Sequence, residues 1–309
     1  MSLLDRKLIL VLGKGGVGRS TMAAAIASAC ARRGRKTLLF QSNAADRVGD
    51  YFGRPPLTTT PTELGPGLWG VNTNPAAALR EYGLMILKFQ KVYELNFENR
   101  ITRAFLRAIP GLDDYSVLGK AWFHTTEESR KRPAWDTVVF DMPASGHSLT
   151  MLRIPWVILE TVPEGPLTRD AREVQVLLRD PVRTAAVLVT LAEEMPTQEA
   201  RELTGKLETL GIRPQRVLVN QVASDHLPVG SAGARVVAAL EEASATPPLD
   251  AIVAQAGMAR ARRTLNQHYL TEIALTIPAP SHAMPYLART RLGPPEIALL
   301  SKLVETALA

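Results

Sequence analysis

The sequence predicts an α/β protein built on a doubly wound, mostly parallel sheet that carries a helical insertion. Short runs rich in Leu, Val and Ile alternate with longer segments of helical periodicity, and this alternation is typical of βαβ units. The apolar runs are mostly unbroken by polar residues, as expected of strands that helices cover on both faces. The 309 residues, 46% hydrophobic and 21% charged, supply enough apolar side chains for a core and exclude an intrinsically disordered chain.

The predicted elements follow one another with short connections over most of the chain. Strands are predicted at residues 7–12, 37–41, 68–72, 137–141, 185–191, 216–220 and 272–277. Helices are predicted at residues 20–33, 148–160, 169–178, 197–210, 232–242 and 250–267. Gly34 and Gly211 follow two of these helices, where a left-handed glycine commonly terminates a helix. The proline-rich segments 54–61 and 278–285 are predicted to be loops.

Residues 75–130 interrupt this alternation because they contain no convincing strand. Apolar residues recur there with helical spacing, at Leu79, Tyr82, Ile86, Phe89 and Tyr93. A second helix is predicted at residues 100–109, before Pro110 and Gly111. We interpret residues 1–309 as a single domain with a helical insertion at about 75–130. The apolar stripe of this insertion either packs on the sheet or binds a client protein.

Composition excludes several classes of protein. The single cysteine, Cys30, excludes a disulfide framework and any multi-cysteine metal site within one chain, and its Ala-rich surroundings predict a small core residue. The 36 basic and 30 acidic residues give a net charge of +6, which we do not interpret as a sign of nucleic-acid binding. No apolar run approaches the ~20 residues that span a bilayer, so no integral membrane segment is expected. The apolar run at residues 8–12 lacks a signal-peptide cleavage site and is interpreted as the first strand of a cytoplasmic protein.

The strongest motif is a glycine-rich loop between the first predicted strand and the first helix. It consists of Gly13, Lys14, Gly15, Gly16, Val17, Gly18, Arg19, Ser20 and Thr21. This segment matches the phosphate-loop pattern G-x-x-x-x-G-K-[ST] except that Arg19 replaces the lysine, keeping the charge on a wider, planar group. Glycines let backbone N–H groups converge on phosphate oxygens, and the following helix adds its positive end. We therefore predict an ATP site here, with the Ser20 hydroxyl on Mg²⁺.

Lys14 lies early in this loop and resembles the lysine of the deviant P-loop class. In that class the lysine reaches across a dimer to the partner's nucleotide, so the resemblance implies a catalytic contribution from Lys14. The alternative is an exposed loop lysine without such a role.

Further segments resemble the arsenical-pump and tail-anchored-protein-targeting ATPases, the ArsA-type family of P-loop NTPases. Residues 135–149 read W-D-T-V-V-F-D-M-P-A-S-G-H-S-L, similar to the Walker B strand and switch II of that family, D-T-A-P-T-G-H-T-L. Residues 219–221 resemble its adenine-reading segment, and residues 193–196 resemble another family stretch. Segments 78–82, 110–112 and 118–120 are most similar to bacterial ArsA-like proteins that occur as paired, non-identical subunits. The resemblance covers nearly the whole chain and implies binding of ATP and Mg²⁺ by a dimer.

The resemblance assigns roles to three positions, and their residue types agree with those roles. Asp141 ends a strand, where a carboxylate can hold Mg²⁺ through water. Gly146 can offer its N–H to the γ-phosphate, and the Asn220 carboxamide can both donate to and accept from an adenine edge. The alternatives are a strand-end cap for Asp141 and a loop cap for Asn220. His147, in the same switch II motif, is interpreted as structural.

The sequence departs from the family pattern at switch I. The family reads D-P-A-H-N-L-S-D, whereas this chain reads N-A-A-D-R-V-G-D from Asn43 onwards. The resemblance thus places the catalytic aspartate, which polarises the attacking water, on Asn43. An amide cannot accept a proton, and loss of a general base typically lowers the rate by ~10²–10⁴; Asp46 is three residues from the required position. The family's zinc- and arsenite-binding cysteines are absent, which argues against arsenite transport and weakens a tail-anchored-targeting role.

Three functions are compatible with these motifs. The first is an ATP-driven dimeric switch, as a homodimer or a heterodimer with an ArsA-like paralogue, acting on a protein client or membrane partner. The second is a pseudo-ATPase subunit that binds nucleotide, hydrolyses it poorly and pairs with a catalytic paralogue. The third is a positioning ATPase of the ParA/MinD type. Against its membrane-bound version, the apolar face of residues 296–309 is predicted to pack in the core. Against its DNA-bound version, Arg260, Arg262 and Arg263 are predicted to form a solvated face, so no nucleic-acid partner is expected.

Overall fold

The computed structural model describes residues 2–42, 48–87, 112–129, 131–223 and 249–309, together with Arg235, Ala238, Ala239 and Glu242. The strands are β1 (Leu8–Gly13), β2 (Thr37–Ser42), β3 (Thr62–Gly65), β4 (Leu68–Thr73), β5 (Glu128–Ser129), β6 (Arg132–Pro133), β7 (Thr137–Asp141), β8 (Thr184–Leu191), β9 (Pro214–Val222) and β10 (Ser281–Pro285). Strands β5 and β6 form a separate hairpin. The other strands form one sheet in the order β10-β9-β8-β1-β7-β2-β4-β3, and within it only β3 runs antiparallel to its neighbour.

Helices cover both faces of this sheet. They are α1 (Arg19–Arg32), α2 (Val48–Tyr51), α3 (Pro75–Leu87), α4 (Leu112–Thr126), α5 (Ser145–Thr161), α6 (Pro166–Arg179), α7 (Glu194–Thr209), α8 (Leu249–Thr276) and α9 (Pro294–Ala307). Helices α1 and α9 pack on one face, and α4 to α8 pack on the other. Gly34 and Gly211 follow α1 and α7 with φ of +80° and +76°, which confirms their predicted role as left-handed helix terminators.

The central strand β1 shows why the sequence specifies a two-faced sheet. Leu8, Leu10 and Leu12 lie in the core on one face, whereas Ile9 and Val11 lie in the core on the other. Successive side chains of a strand point to opposite faces, so a continuous apolar run requires cover on both sides. The predicted doubly wound, mostly parallel fold is confirmed.

Two predictions near the C-terminus are wrong. Residues 272–277, predicted as a strand, are the last part of α8 and its end. No glycine or proline lies between Met258 and Ile277, so nothing in the sequence stops the helix before Pro278. The last strand, β10, lies in the segment 278–285 that was predicted as a loop. It is the edge strand of the sheet, a position in which Pro285 is tolerated.

The insertion is helical where the structure describes it. Helices α3 and α4 pack side by side, and Leu79 contacts a small core formed by Tyr115, Ile154 and Ile158. The two-residue strand β5 lies inside the segment that was predicted to contain no strand. It was missed because so short a hairpin leaves no periodic pattern of apolar residues in the sequence. The predicted helix at 100–109, the stripe residues Phe89 and Tyr93, and most of the predicted helix at 232–242 lie outside the described residues.

Two further predictions about apolar residues are confirmed. Cys30 is fully buried in α1. The apolar face of α9 packs in the core through Ile297, Leu300 and Val304, although Leu303 is 37% exposed. Among the described residues, no helix is long and apolar enough to cross a membrane.

Polar groups at the amino ends of the central strands form hydrogen bonds and cation–π contacts with neighbouring protein groups. Lys7 Nζ donates to the carbonyl oxygen of Trp135 at 2.6 Å, and burial lowers the pKa of Lys7. Lys36 Nζ lies 5.3 and 4.9 Å from the ring centres of Trp69 and Trp135, within cation–π range. Asp136 accepts a 2.8 Å hydrogen bond from the Lys36 backbone N–H.

Candidate functional site

The predicted site residues that the structure describes lie at or near the carboxyl ends of the central strands. Strand β1 ends at Gly13 and leads through the glycine-rich loop into α1. On one side of β1, strand β7 ends at Asp141; on the other, β8 separates it from β9, which carries Asn220. Ligands of open α/β sheets bind at this edge. Asn43 and Asp46 follow β2 but lie outside the described residues.

Three glycines of the loop adopt conformations that other residues rarely adopt. Gly13, Gly16 and Gly18 have φ of +154°, +88° and +88°. A Cβ at Gly13 would overlap the carbonyl oxygen of Val189, and one at Gly18 would overlap Nδ2 of Asn220. At these two positions glycine is required by close contact as well as by backbone angle.

Asn220 holds the loop in place. Its side chain is buried, 7% exposed, and Nδ2 donates to the carbonyl oxygen of Val17 at 2.9 Å. Val17 is itself buried in the core beside α1. The loop is therefore anchored at Val17 from two sides, by apolar packing and by this hydrogen bond.

The backbone N–H groups of the loop are free to receive a ligand. Between Gly15 and Ser20 they donate to no acceptor in the described part of the chain, and Gly18, the N-cap residue of α1, has no side chain that could cap the helix. Free N–H groups at a helix start carry partial positive charge. The loop and the helix start together form a cradle for an anion.

Asp141 is the centre of a buried polar cluster. Its side chain is 6% exposed, and Oδ2 accepts from Ser20 Oγ at 2.6 Å and from Gln41 Nε2 at 2.8 Å. Burial raises the pKa of Asp141, while these two hydrogen bonds and the charge of Arg19 oppose that shift. Oδ1 of Asp141 has no partner among the described residues.

Arg19 bridges the loop to the segment after β7. Its guanidinium donates to the carbonyl oxygen of Met142. Burial lowers the pKa of Arg19 and the charge of Asp141 raises it, yet a guanidinium stays protonated in proteins. The cation therefore holds the start of α1 against the segment that follows β7. In the same first turn of α1, Thr21 Oγ1 lies 3.1 Å from the hydroxyl of Tyr51.

Lys14 is paired within its own chain. Its Nζ lies 2.6 Å from Oε1 of Glu199 on α7, with the two side chains 36% and 30% exposed. The pair lies at the surface, where solvent screens its attraction. Lys14 is therefore held by a contact that is weak enough to exchange.

Residues 142–147 connect the glycine-rich loop to the insertion. The carbonyl oxygen of Met142 accepts the hydrogen bond from Arg19 of the loop. Gly146 is exposed in the first turn of α5. His147 Nε2 lies 3.0 Å from Oδ1 of Asp114 on α4. One short segment thus touches both the glycine-rich loop and the insertion.

Sequence reasoning missed Gln41, Glu199 and Asp114. Gln41 carried a usable signal, since a polar side chain at the end of an apolar strand faces the site edge. Glu199 and Asp114 carried none, because surface carboxylates on helices are common and only the tertiary structure shows their partners.

Comparison with known proteins identifies the family. The sequence model of the ArsA ATPases, described as anion-transporting ATPases, matches residues 6–164 and 166–229. The chain belongs to this family. The match includes the glycine-rich loop, the Asp141 cluster and Asn220, so the residues that build the site lie inside the region that defines the ArsA family. Membership implies nucleotide binding by the family's P-loop.

Individual relatives share part of their length with this chain. It is 31% identical over 228 residues to the ATPase BagA of Mycobacterium tuberculosis, covering 72% of this chain and 66% of BagA. It is 26% identical over 232 residues to an arsenical pump-driving ATPase of Escherichia coli, covering 68% of this chain and 38% of that protein. A pump-driving ATPase of Acidiphilium multivorum is also 26% identical, over 234 residues and with the same coverage, 68% and 38%. The chain therefore matches about two thirds of BagA and well under half of the two pump ATPases.

Proposed function

We propose that the chain binds ATP with Mg²⁺ at the glycine-rich loop and acts as a cytoplasmic, dimeric, nucleotide-dependent switch. The observation that carries this proposal is the loop itself. Its N–H groups between Gly15 and Ser20 have no acceptor in the described chain, and Asn220 holds it in shape through Val17. A preformed cradle of free N–H groups at an uncapped helix start suits the phosphates of a nucleotide.

Mg²⁺ fits the residues around Asp141. The Ser20 hydroxyl and the Asp141 carboxylate are hard oxygen ligands of the kind that Mg²⁺ prefers, and Asp141 Oδ1 lacks a partner in the described residues. Ser20 would hold the ion directly, with its proton donated to Asp141, and Asp141 would hold it through water. When bound, Mg²⁺ would neutralise part of the negative charge of the phosphates.

Three other residues contribute to nucleotide binding in this proposal. Arg19 takes the place of the usual lysine and exchanges its contact with the Met142 carbonyl for a phosphate oxygen. Gly146 offers its N–H to the γ-phosphate from the first turn of α5. Asn220 contacts the adenine through Oδ1, because its Nδ2 is already bound to the loop.

Hydrolysis is proposed to be weak. The family's catalytic aspartate corresponds to Asn43, and an amide can orient a water molecule without accepting its proton. The second candidate, a pseudo-ATPase subunit that pairs with a catalytic paralogue, is favoured by this substitution together with Arg19. The two candidates share the same nucleotide site and differ only in turnover.

Coupling to a protein client is supported by the contact between His147 and Asp114. His147 follows Gly146 in α5, and Asp114 lies in the insertion helix α4, with 3.0 Å between the interacting atoms. A shift of residues 142–146 on loss of the γ-phosphate would be passed to the insertion through this contact. Lys14 would complete the partner's site in the dimer after leaving Glu199.

Calorimetry tests the binding proposal. Titration of the purified chain with ATP and with ADP, each with Mg²⁺, is expected to show saturable binding at one site per chain. Ser20→Ala is expected to abolish the effect of Mg²⁺ while Thr161→Ala, which removes an exposed hydroxyl at the other end of α5, leaves it unchanged. Absence of any heat at millimolar nucleotide from folded protein, assayed with its paralogue, would overturn the proposal.

Steady-state turnover separates the two candidates. The pseudo-ATPase predicts binding with little hydrolysis by the chain alone, and a gain of ~10²-fold or more in Asn43→Asp, as expected when a general base is restored. A native rate that Asn43→Asp does not raise would count against the pseudo-ATPase and in favour of the self-sufficient switch.

A further inference from the structure

Gln41 is the polar residue that joins strand β2 to the Asp141 cluster. It pairs directly with Asp141 in the parallel register of β2 and β7. Its side chain is 1% exposed, and Nε2 donates to Asp141 Oδ2 at 2.8 Å. A side chain of this polarity is rarely so deeply buried without a specific reason.

The contact with Asp141 fixes the orientation of the Gln41 amide. A carboxylate oxygen accepts hydrogen bonds and cannot donate one when ionised, so the NH₂ group must face Asp141. The amide oxygen, Oε1, therefore points away from Oδ2. It is buried and has no hydrogen-bond partner among the described residues.

Two unpaired acceptors thus belong to one cluster. Gln41 Oε1 and Asp141 Oδ1 are both buried without partners in the described chain. They cannot satisfy each other because both only accept, and leaving a buried acceptor unpaired is unfavourable. Both oxygens therefore lack donors among the described residues, at a site where Ser20 also binds the same carboxylate.

The hydration shell of Mg²⁺ supplies such donors. Mg²⁺ retains several water molecules when it binds to proteins with a nucleotide, and the charge of the ion makes their protons strong donors. We propose that Gln41 is a positioning residue for the metal, with Oε1 accepting a hydrogen bond from its hydration shell next to Asp141. This inference rests on the proposed nucleotide site and adds to it a residue of β2 that contacts the metal through its bound water.

The test measures metal affinity and not turnover. Mn²⁺ replaces Mg²⁺, the nucleotide is the non-hydrolysable analogue AMP-PNP with protein in excess, and free Mn²⁺ is counted by electron paramagnetic resonance. Gln41→Met removes the whole amide at similar volume. Gln41→Glu retains an acceptor oxygen but loses the NH₂ donor to Asp141. Gln215→Met is the control, since Gln215 is a partly buried glutamine of β9 whose Oε1 accepts from Ala186 N–H at 2.6 Å, at the other end of the sheet.

The variants are expected to distinguish the contribution of the Oε1 acceptor from that of the NH₂ donor. Gln41→Met should weaken Mn²⁺ binding by about tenfold, the size expected for one charge-assisted hydrogen bond. Gln41→Glu should bind Mn²⁺ at least as tightly as the native chain, because it keeps an acceptor oxygen and adds a negative charge beside Asp141. Affinity for AMP-PNP in EDTA should be the same for all variants, and Gln215→Met should bind Mn²⁺ normally.

Three results would overturn the inference. Unchanged Mn²⁺ affinity in Gln41→Met would show that Oε1 does not serve the metal, while nucleotide binding in EDTA keeps the proposed function intact. If Gln41→Glu loses as much Mn²⁺ affinity as Gln41→Met, only the NH₂ donor to Asp141 matters and the inference is wrong. If Gln41→Met does not fold, the Mn²⁺ affinity of Gln41→Glu alone decides the question. A native chain that binds no AMP-PNP in any condition would overturn the proposed function and this inference together.

Discussion

The two ends of the central strands differ in how fully their polar groups are paired within the described chain. At the amino ends, Lys7 is bound to the Trp135 carbonyl and Lys36 lies over two indole rings. At the carboxyl ends, the loop N–H groups and two buried oxygens, those of Gln41 and Asp141, have no partner in the described chain. Pairing favours stability, and departures from it concentrate at functional sites. These groups favour the carboxyl ends of the strands as the ligand end, although His124 Nε2, toward the amino ends, is also buried without a partner among the described residues.

Gly18→Ala should have the largest effect on the ligand end. The new Cβ would overlap Asn220 Nδ2 at a backbone φ of +88°, so the loop must move and its N–H groups lose their alignment. We expect ATP affinity, measured by calorimetry, to fall by about a hundredfold, equivalent to two hydrogen bonds. Gly205→Ala is the control because its Cβ meets nothing within 4 Å on the exposed face of α7. Similar ATP affinity in Gly18→Ala and Gly205→Ala would contradict the proposed cradle.

Asn220→Ala tests how the loop is held. Loss of the 2.9 Å bond to Val17 should lower affinity for inorganic tripolyphosphate by about tenfold. Affinity for ATP should fall by a larger factor, because the proposed contact between Oδ1 and adenine is lost as well. Asn266→Ala is a matched control, since Asn266 is equally buried and binds the Ala192 carbonyl and the Ala223 N–H. It should lower the melting temperature and leave both affinities unchanged. If only ATP affinity falls in Asn220→Ala, the side chain reads adenine and does not brace the loop.

His124→Gln tests the stability end through pH. Burial lowers the pKa of His124 below its usual 6.5, opposed by its contact with Glu127, which also binds the Trp135 indole N–H. As pH falls below 6.5 the unfolded chain takes up the proton first. The stability contribution is therefore present above 6.5 and is lost below it, at up to ~1.4 kcal/mol per pH unit.

The measurement is the free energy of unfolding by urea between pH 7.5 and 5. The native chain should lose stability faster than His124→Gln over this range. His268→Gln is the control because His268 is 67% exposed and should retain the native slope. Parallel pH profiles for the native chain and His124→Gln would show that this imidazole is not the group responsible.

Glu199→Gln should have the smallest effect. The pair with Lys14 is partly exposed, so its loss should change the free energy of unfolding by less than about 0.5 kcal/mol. Release of Lys14 should strengthen ATP-dependent dimerisation by about threefold, as measured by analytical ultracentrifugation. Glu202→Gln on the same helix, which loses a 3.8 Å pair with Lys206, should dimerise as the native chain does. Weaker dimerisation of Glu199→Gln would show that Glu199 supports Lys14 instead of restraining it.

The sequence predicted most accurately those regions whose structure depends on residues close to one another along the chain. Strand β1, the glycine-rich loop and α1 were predicted to within about one residue, because a continuous apolar run and the geometry of glycine act over a few positions. Residues 272–277 were misassigned because an apolar hexamer fits a strand or a buried helix equally well. Edge strands β3 and β10 are short and polar or proline-containing, so they carried little strand signal.

The site was only partly predictable for a different reason. Ser20, Asp141 and Asn220 belong to motifs, and the structure brings all three to one edge of the sheet. The hydrogen bond from Gln41 to Asp141 depends on the register of β2 against β7, which two separate apolar runs do not specify. The bond from Asn220 to Val17 likewise requires the order of strands across the sheet. Long-range pairing of this kind is decided by tertiary structure.

Cys30 makes this chain convenient for optical work. The thiolate is the form that reacts with alkylating dyes, and burial raises the pKa of this thiol to about 12 in the interior of α1. Native protein should therefore remain unlabelled by maleimides at neutral pH. A pair of fluorophores can then be attached to cysteines introduced on the exposed surfaces of α4 and α5, without removing Cys30. Such a pair would report the distance between these two helices as nucleotide binds and dissociates.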